Sequence, residues 1–127
     1  MSPVGGEPFD YTHRDMQSIA IILRLADDRV AEFEAMFEAE EIPIWDDFIA
    51  KGLFKECSLT RVTGGGETPK GIQDYVLHIV ATEEGHGAHD DDARFKSFLK
   101  RAQKLQPKQP LVWFGDPIFE RRAESDR

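Results

Sequence analysis

The stretch from Val30 to Val62 constrains the fold more than any other part of the chain. It starts with apolar residues at helical spacing, passes Pro43 and Gly52, and continues as a strand-like run. Apolar residues at that spacing form one stripe on a helix, and the stripe has to pack against another element. We therefore predict a helix that lies on a sheet, is kinked or broken at Pro43 and ends at Gly52. The stripe consists of Val30, Phe33, Phe37, Ile44 and Phe48.

The remaining periodicities complete an order of strand, helix, strand, strand, helix, strand. Right-handed crossovers then favour a four-stranded antiparallel sheet in the order 4-1-3-2 with both helices on one face. The predicted fold class is α+β, a ferredoxin-like βαββαβ domain. We predict strands at 18–25, 53–62, 74–82 and from 111, and helices at 28–41, 44–51 and 90–106.

The domain is expected to span residues 18–121, between a flexible N-terminal arm at 1–17 and a charged tail at 122–127. The run of glycines at 64–71 is predicted to be a mobile turn. It leads into a strand and lacks the lysine and hydroxyl residues that hold phosphate and magnesium, so it does not indicate a phosphate-binding loop.

Neither face of the predicted sheet has the polar alternation of a wet face. In the first strand Ile19, Ile21 and Leu23 point one way, while Ala20 and Ile22 point the other. A sheet with one solvated face should alternate cleanly between apolar and polar residues. Because the helices cover only one face, we expect a homodimer that packs sheet on sheet. The alternative is that residues 1–17 cover the second face.

Composition excludes several classes of partner. The net charge of −8 disfavours nucleic acid and anionic membrane surfaces. No apolar run approaches the roughly 20 residues of a membrane span, and the first residues lack the pattern of a secretory signal. Cys57 is the single cysteine, so no internal disulfide can form and a cytoplasmic location is expected.

The element order and the segments EEIPIWDDFIAKGLF and KECSLTRV resemble the dimeric α+β barrel superfamily. Its members include antibiotic-biosynthesis-monooxygenase-like, EthD-like and stress-responsive barrel proteins. The resemblance covers about residues 18–121 and implies a dimeric barrel with a pocket. Several of these families carry a His-x-Pro motif in the first helix. Here Glu41 precedes Ile42 and Pro43 at that place, and the Asn, Trp and His set of haem-degrading members is missing.

Arg24 and His78 are the first candidate catalytic pair. Strand parity places both on the face away from the helices, on neighbouring strands. A histidine titrates near neutrality and could act as a general base, while an arginine could hold a carboxylate or enolate oxygen. The alternative is a structural histidine at an interface and an arginine paired with Glu56.

Glu41 is the third catalytic candidate. A carboxylate at the proline-induced irregularity, beside a cavity, could have a raised pKa and exchange protons with a ligand. The alternative is that Glu41 belongs to a solvated helix face, as glutamates in an acidic run usually do.

The segment from Glu83 to Asp92 is the densest group of metal-ligand side chains, with His86 and His89 as weak metal candidates. Gly85 and Gly87 predict a flexible loop without enforced geometry, and the acidic residues are explained as caps of the following helix. We therefore expect no metal and no cofactor.

Three aromatic residues are candidates for binding an aromatic ligand, although such residues at apolar positions are more often core or interface. They are Trp45, Tyr75 and Trp113.

Three functions remain open. An enzyme would bind a small apolar or aromatic molecule in a pocket enclosed by the dimer and carry out cofactor-independent oxygenation or isomerisation. A binding protein would hold the same ligand without turnover. A structural dimer would have a filled interface and no pocket.

Overall fold

The computed structural model describes residues 16–121 and residue 123 of the 127-residue chain. The predicted arm and tail therefore lie almost wholly outside the described residues. The elements, in chain order, are β1 (Met16–Ala26), a 3₁₀ turn (Asp27–Arg29), α1 (Val30–Met36), a π-helical segment (Phe37–Glu41), α2 (Ile42–Ala50), β2 (Phe54–Arg61), β3 (Ile72–Thr82), α3 (Glu83–Asp91), α4 (Ala93–Ala102), a second 3₁₀ turn (Gln103–Leu105) and β4 (Leu111–Gly115).

The strands form an antiparallel four-stranded sheet in the order β2-β3-β1-β4, which confirms the predicted topology and the α+β ferredoxin-like class. In the register of β1 and β3, Ile19 lies opposite Ile79. Ala20 lies between His78 of β3 and Trp113 of β4. Side chains alternate across a sheet, so Ile19 and Ile79 share one face and the other three residues share the opposite face.

The helices cover the face that carries Ile19 and Ile79, and the main core lies between them and the sheet. Phe37 is central to this core, because its ring meets Trp45 and Phe98 edge to face at 5.1 and 5.8 Å between ring centroids. Such geometry suits the aromatic quadrupole. The most completely buried large side chains are Tyr75, Phe33, Phe54, Leu25 and Ile44.

The first helix continues past Pro43, contrary to the predicted break there. Its irregularity lies one turn earlier, where the Ile42 N–H donates to the Phe37 carbonyl in the π-helical pattern. This widening places Pro43 in the first turn of α2. Proline is tolerated in a first helical turn, and here it interrupts the hydrogen-bond ladder where the π-helical pattern already departs from the regular one. The sequence also predicts that Asp27 and Asp28 cap the first helix, and this is wrong: both lie within the 3₁₀ turn, and neither that turn nor α1 has a side-chain cap hydrogen bond.

Gly52 ends α2 as predicted. Its φ of 74° is in the left-handed region that favours glycine. The Gly52 N–H donates to the Ile49 carbonyl and the Leu53 N–H to the Phe48 carbonyl, both at 3.0 Å. This Schellman arrangement satisfies the free carbonyls of the helix end and turns the chain into β2.

The predicted flexible loop around Gly85 and Gly87 is wrong, because these residues form α3. The Thr82 side chain caps the helix by accepting the Gly85 N–H at 2.8 Å. Gly85 is buried, and a Cβ at this position would overlap the carbonyl oxygen of Leu53. Glycine is therefore required by the close approach of α3 to the start of β2, and it does not mark a loop.

The second face of the sheet is only partly covered within the described residues. Leu111 and Trp113 in β4 are 44 and 56% exposed. After β4, the C-terminal strap (residues 116–121) crosses one end of this face, because Lys55 of β2 forms a 2.8 Å ion pair with Glu120. None of the described helices is long and apolar enough to span a membrane.

Gly85→Ala should destabilise the protein by about 1–3 kcal/mol, because its methyl group would force α3 away from Leu53. Gly87→Ala is the matched control, because Gly87 lies in the same helix with open space around its Cβ position. That variant should be stabilised by about 0.5–1 kcal/mol. Urea unfolding of the two variants measures the difference, and equal effects would contradict the described packing.

Candidate functional site

A cavity of about 650 Å³ lies between the helices and the helix-covered face of the sheet. Its walls are mainly apolar side chains from β1, β3, α4 and the first helix. Its size falls within the roughly 300–1,000 Å³ that small-molecule sites occupy. The lining includes Ile19, Ile21, Leu23, Phe33, Phe37, Leu77, Ile79, Phe95, Phe98, Leu99 and Val112, with Glu41, His86, His89 and Asp90 as acidic and imidazole groups.

Glu41 and His89 form the central polar contact of this cavity. The π-helical segment supplies Glu41 and α3 supplies His89, and the two residues are 2 and 5% exposed. The Nε2 atom of His89 lies 2.5 Å from Oε2 of Glu41. Charge-assisted hydrogen bonds are shorter and stronger than neutral ones, and this contact is at the short end of them.

Aromatic rings enclose the imidazole of His89. The ring of Phe95 lies 4.2 Å from it between centroids, and the rings of Phe54 and Phe48 lie at 5.5 and 5.9 Å. Its second nitrogen, Nδ1, is 3.5 Å from Oδ1 of Asp90. The imidazole therefore has a fixed orientation, with one carboxylate at each nitrogen.

The second oxygen of Glu41 has no partner. Among the described residues, Oε1 of Glu41 is one of two buried side-chain polar atoms without a hydrogen bond, the other being Nε1 of Trp45. Buried polar atoms are nearly always paired, and leaving one unpaired has a substantial cost. Glu41 lines the cavity, so its free oxygen is an acceptor in an otherwise apolar chamber.

Burial by itself would lower the pKa of His89, but the hydrogen bond and charge of Glu41, assisted by Asp90, raise its pKa above the ordinary value. A histidine with a raised pKa carries a proton at neutral pH to a greater extent than a free one. The pair then consists of a carboxylate and an imidazolium, and it can exchange a proton with a bound molecule.

Arg24 and His78 face away from this cavity and do not meet. Ala20 pairs with His78, and Arg24 pairs with Asp74, so they lie four residues apart along the strands, roughly 13 Å. Arg24 binds Asp74 at 3.2 Å, whereas the alternative interpretation had paired it with Glu56.

His78 lies on the open face of the sheet, under the C-terminal strap. Its Nε2 is 3.1 Å from the Ser18 hydroxyl, and its Nδ1 is 3.8 Å from a Glu56 oxygen. A shallower cavity of about 460 Å³ surrounds it. The structure thus separates His78 from Glu41, which lies on the helix side of the sheet.

The solvated-helix alternative for Glu41 is wrong, because that side chain is buried in the wall of the cavity. His86 and His89 both line the cavity too. His86 contacts Gln17 at 2.8 Å and Asp90 at 3.4 Å. Within residues 16–121, no group of three or more His, Cys, Asp or Glu side chains has the arrangement of a metal site.

The three aromatic candidates do not come together. Trp45 and Tyr75 are buried in the core outside the cavity lining, and the Tyr75 hydroxyl donates to Glu34 at 2.6 Å. Trp113 lies on the open face of the sheet. The aromatic residues that line the cavity are Phe33, Phe37, Phe54, Phe95 and Phe98, which the sequence analysis assigned to the helix stripes or left out.

The pairing of Glu41 with His89 was not predicted from the sequence. Both residues were named, but they are 48 residues apart and belonged to different hypotheses. The spacing of Phe95 and Phe98 from His89 was the one available signal. This spacing indicates a contact only when α3 is recognised as a helix, because the helix brings His89 close to Phe95.

The fold is similar to that of solved structures described as antibiotic biosynthesis monooxygenases, and this similarity supports the resemblance noted in the sequence at the level of fold. One similar structure is a candidate antibiotic biosynthesis monooxygenase from Nitrosomonas europaea, with 10% identity and a TM-score of 0.66 over 86% of this chain and 96% of that one. A second structure with the same description, from Caulobacter crescentus CB15, has 19% identity and a TM-score of 0.62 over 84% of this chain and 92% of that one.

Rv0793 from Mycobacterium tuberculosis is similar to the same degree, with 14% identity and a TM-score of 0.62 over 83% of this chain and 97% of its own. No family model matches the sequence, and no curated protein matches it. At these identities the similarity establishes the fold, and the chemistry has to be argued from the site.

Stability should fall as pH rises through the raised pKa of His89. The folded protein binds the imidazole proton more tightly than the unfolded chain does, so this contribution is fully present below about pH 6.5 and is lost above the folded pKa. Urea unfolding at a series of pH values measures the slope. His89→Gln should flatten that slope, and an unchanged slope would contradict the ion pair.

Proposed function

We propose that the cavity binds a small, largely apolar molecule and that the Glu41–His89 pair exchanges a proton with it. The observation that carries this proposal is the unpartnered Glu41 oxygen, which is buried in an apolar chamber large enough for a ligand. A raised histidine pKa at the same place adds support, since such shifts concentrate at functional sites.

The proposed chemistry is monooxygenase-like or isomerase-like and needs no metal or flavin. Glu41 would take a proton from an acidified C–H or O–H group, while His89 holds the carboxylate in place. In an isomerisation the proton returns to another carbon atom. In an oxygenation dioxygen is the co-reactant, one oxygen atom enters the product, and the other leaves as water with two substrate hydrogens.

The alternative is a binding protein with the same ligand and no turnover. The absence of the His-x-Pro motif favours this alternative, because Glu41 occupies the place of the histidine. A structural dimer without a ligand is less well supported, since the cavity lies on the helix side and an interface on the other face would not fill it.

We also propose that two copies pack through the open face of the sheet. Leu111 and Trp113 are exposed there beside Ile22 and Ala20, while the strap covers only the end near Val80. A solvated face would not be expected to present these large apolar residues together. In such a dimer Arg24 and His78 would lie at the interface.

Binding in the cavity can be tested with N-phenyl-1-naphthylamine, a neutral dye that fluoresces in apolar sites. The wild-type chain should bind it, and Leu99→Trp should weaken binding by about tenfold or more, because the indole fills the cavity. Lys100→Trp adds the same side chain at the neighbouring exposed position and should leave binding unchanged. Equal binding by all three proteins would contradict the assignment.

Turnover separates the enzyme from the binding protein. A panel of neutral phenols and enolisable ketones is followed by dioxygen uptake and by exchange of substrate hydrogen for deuterium, without added metal or flavin. Glu41→Gln should lower the rate by about 10²–10⁴-fold, because it removes the proton acceptor. The control Glu38→Gln, on the exposed side of the same helical segment, should retain activity. Binding without reaction would favour the alternative.

The dimer has its own test in sedimentation velocity. Trp113→Glu should convert a wild-type dimer into a monomer, because it places a charge on the apolar face. Ala93→Glu introduces the same charge at an exposed position on α4 and should remain dimeric. A wild-type monomer at all concentrations would overturn this part of the proposal.

A further inference from the structure

We infer that the cavity selects neutral ligands whose polar end is a hydrogen-bond donor and that it rejects anions. The inference concerns ligand class, and it rests on the proposed function, since it assumes that the cavity is a binding site. It follows from which polar atoms in the cavity are already engaged and which one is free.

The free atom is an acceptor. Oε2 of Glu41 is held by His89 at 2.5 Å, while Oε1 is buried without a partner. A carboxylate oxygen can only accept hydrogen bonds. A ligand that satisfies it must therefore bring an O–H or N–H group, and an ether, ester or ketone oxygen at the same place would leave Oε1 unpaired.

The histidine donors around the cavity are already directed elsewhere. Both nitrogens of His89 face carboxylates, at 2.5 Å for Glu41 and 3.5 Å for Asp90. His86 lies between Gln17 and Asp90 at 2.8 and 3.4 Å. Among the described lining residues, Lys108 is the one lysine or arginine, and it is exposed.

These charges disfavour an anionic ligand. Glu41 and Asp90 contribute two carboxylates, of which Glu41 is completely buried, and the imidazolium of His89 lies between them. An anion at Oε1 would place like charges together among phenylalanine rings, where their repulsion is poorly screened. Apart from Gln103, Gln106, Lys108 and Gln109, which follow α4, the rest of the lining is mainly apolar, so the body of the ligand should be apolar.

Three ligands of one shape test this selection: 2-naphthol, 2-methoxynaphthalene and 2-naphthoate. At about pH 7 the first two are neutral and the third is ionised, because a phenol keeps its proton at that pH and a carboxyl group loses it. Calorimetry or displacement of the dye gives the affinities. We expect the Kd of 2-naphthol to be lower than that of 2-methoxynaphthalene by about tenfold or more. The Kd of 2-naphthoate should be the highest of the three.

Glu41→Gln should reverse the effect of charge. The amide carries no charge and offers a donor, so 2-naphthoate should gain affinity and the preference of naphthol over its methyl ether should shrink. Glu38→Gln removes an exposed carboxylate from the same helical segment and should keep the wild-type ranking. Thermal unfolding checks that both variants fold. If Glu41→Gln does not fold, the ranking of the three ligands by the wild-type protein still tests the inference.

The outcomes separate the two proposals. Equal affinities for naphthol and its methyl ether, or tightest binding by naphthoate, would overturn the inference while the cavity remains a binding site. An unchanged ranking in Glu41→Gln would overturn it as well, because the selection would then come from elsewhere. Failure of all three ligands and of the dye to bind would overturn the proposed function together with the inference.

Discussion

The contact between Glu41 and His89 is the interaction on which the site depends, and the fold is arranged to make it. Glu41 ends the π-helical segment, and His89 belongs to α3, which reaches the cavity only because Gly85 lets that helix approach Leu53. A π-helical turn shifts the side chains that follow it around the helix axis, and such turns are frequent at functional sites. A local departure from regular helical geometry and a close approach of helix to strand thus bring a carboxylate and an imidazole together.

Stability alone does not explain this pair. Two charged groups that are moved from water into an apolar core lose hydration, and their attraction often only balances that loss. Here the balance is less favourable, because one carboxylate oxygen remains unpaired. A phenylalanine or leucine at position 41 would line the same cavity without any buried charge. A costly polar pair in an apolar chamber is the pattern expected where a ligand supplies the missing hydrogen bond.

The sheet could be predicted from the sequence because its signals are local and mutually consistent. Alternation in β1 and β3 assigned Ile19 and Ile79 to the helix side and Ala20 and His78 to the other, and the observed register confirms this. The helix α3 could not be predicted, since two glycines argue for a loop unless the packing of Gly85 against Leu53 is known. Pro43 signalled an irregularity, but its position one turn earlier depends on hydrogen bonding that no propensity encodes. The Glu41–His89 pair could not be predicted either, because it depends on both α3 and the π-helical segment.

The two faces of the sheet divide the candidate functions between them. The helix-covered face carries the cavity, the buried carboxylate and the histidine with the raised pKa. The open face carries Arg24 in its ion pair with Asp74, His78 beside Ser18, and the exposed aromatic Trp113. Side chains on opposite faces of one sheet cannot meet, so an interface on the open face would leave the acceptor in the cavity untouched. An interface on the open face and a ligand in the helix-side cavity would therefore be able to change independently in this fold.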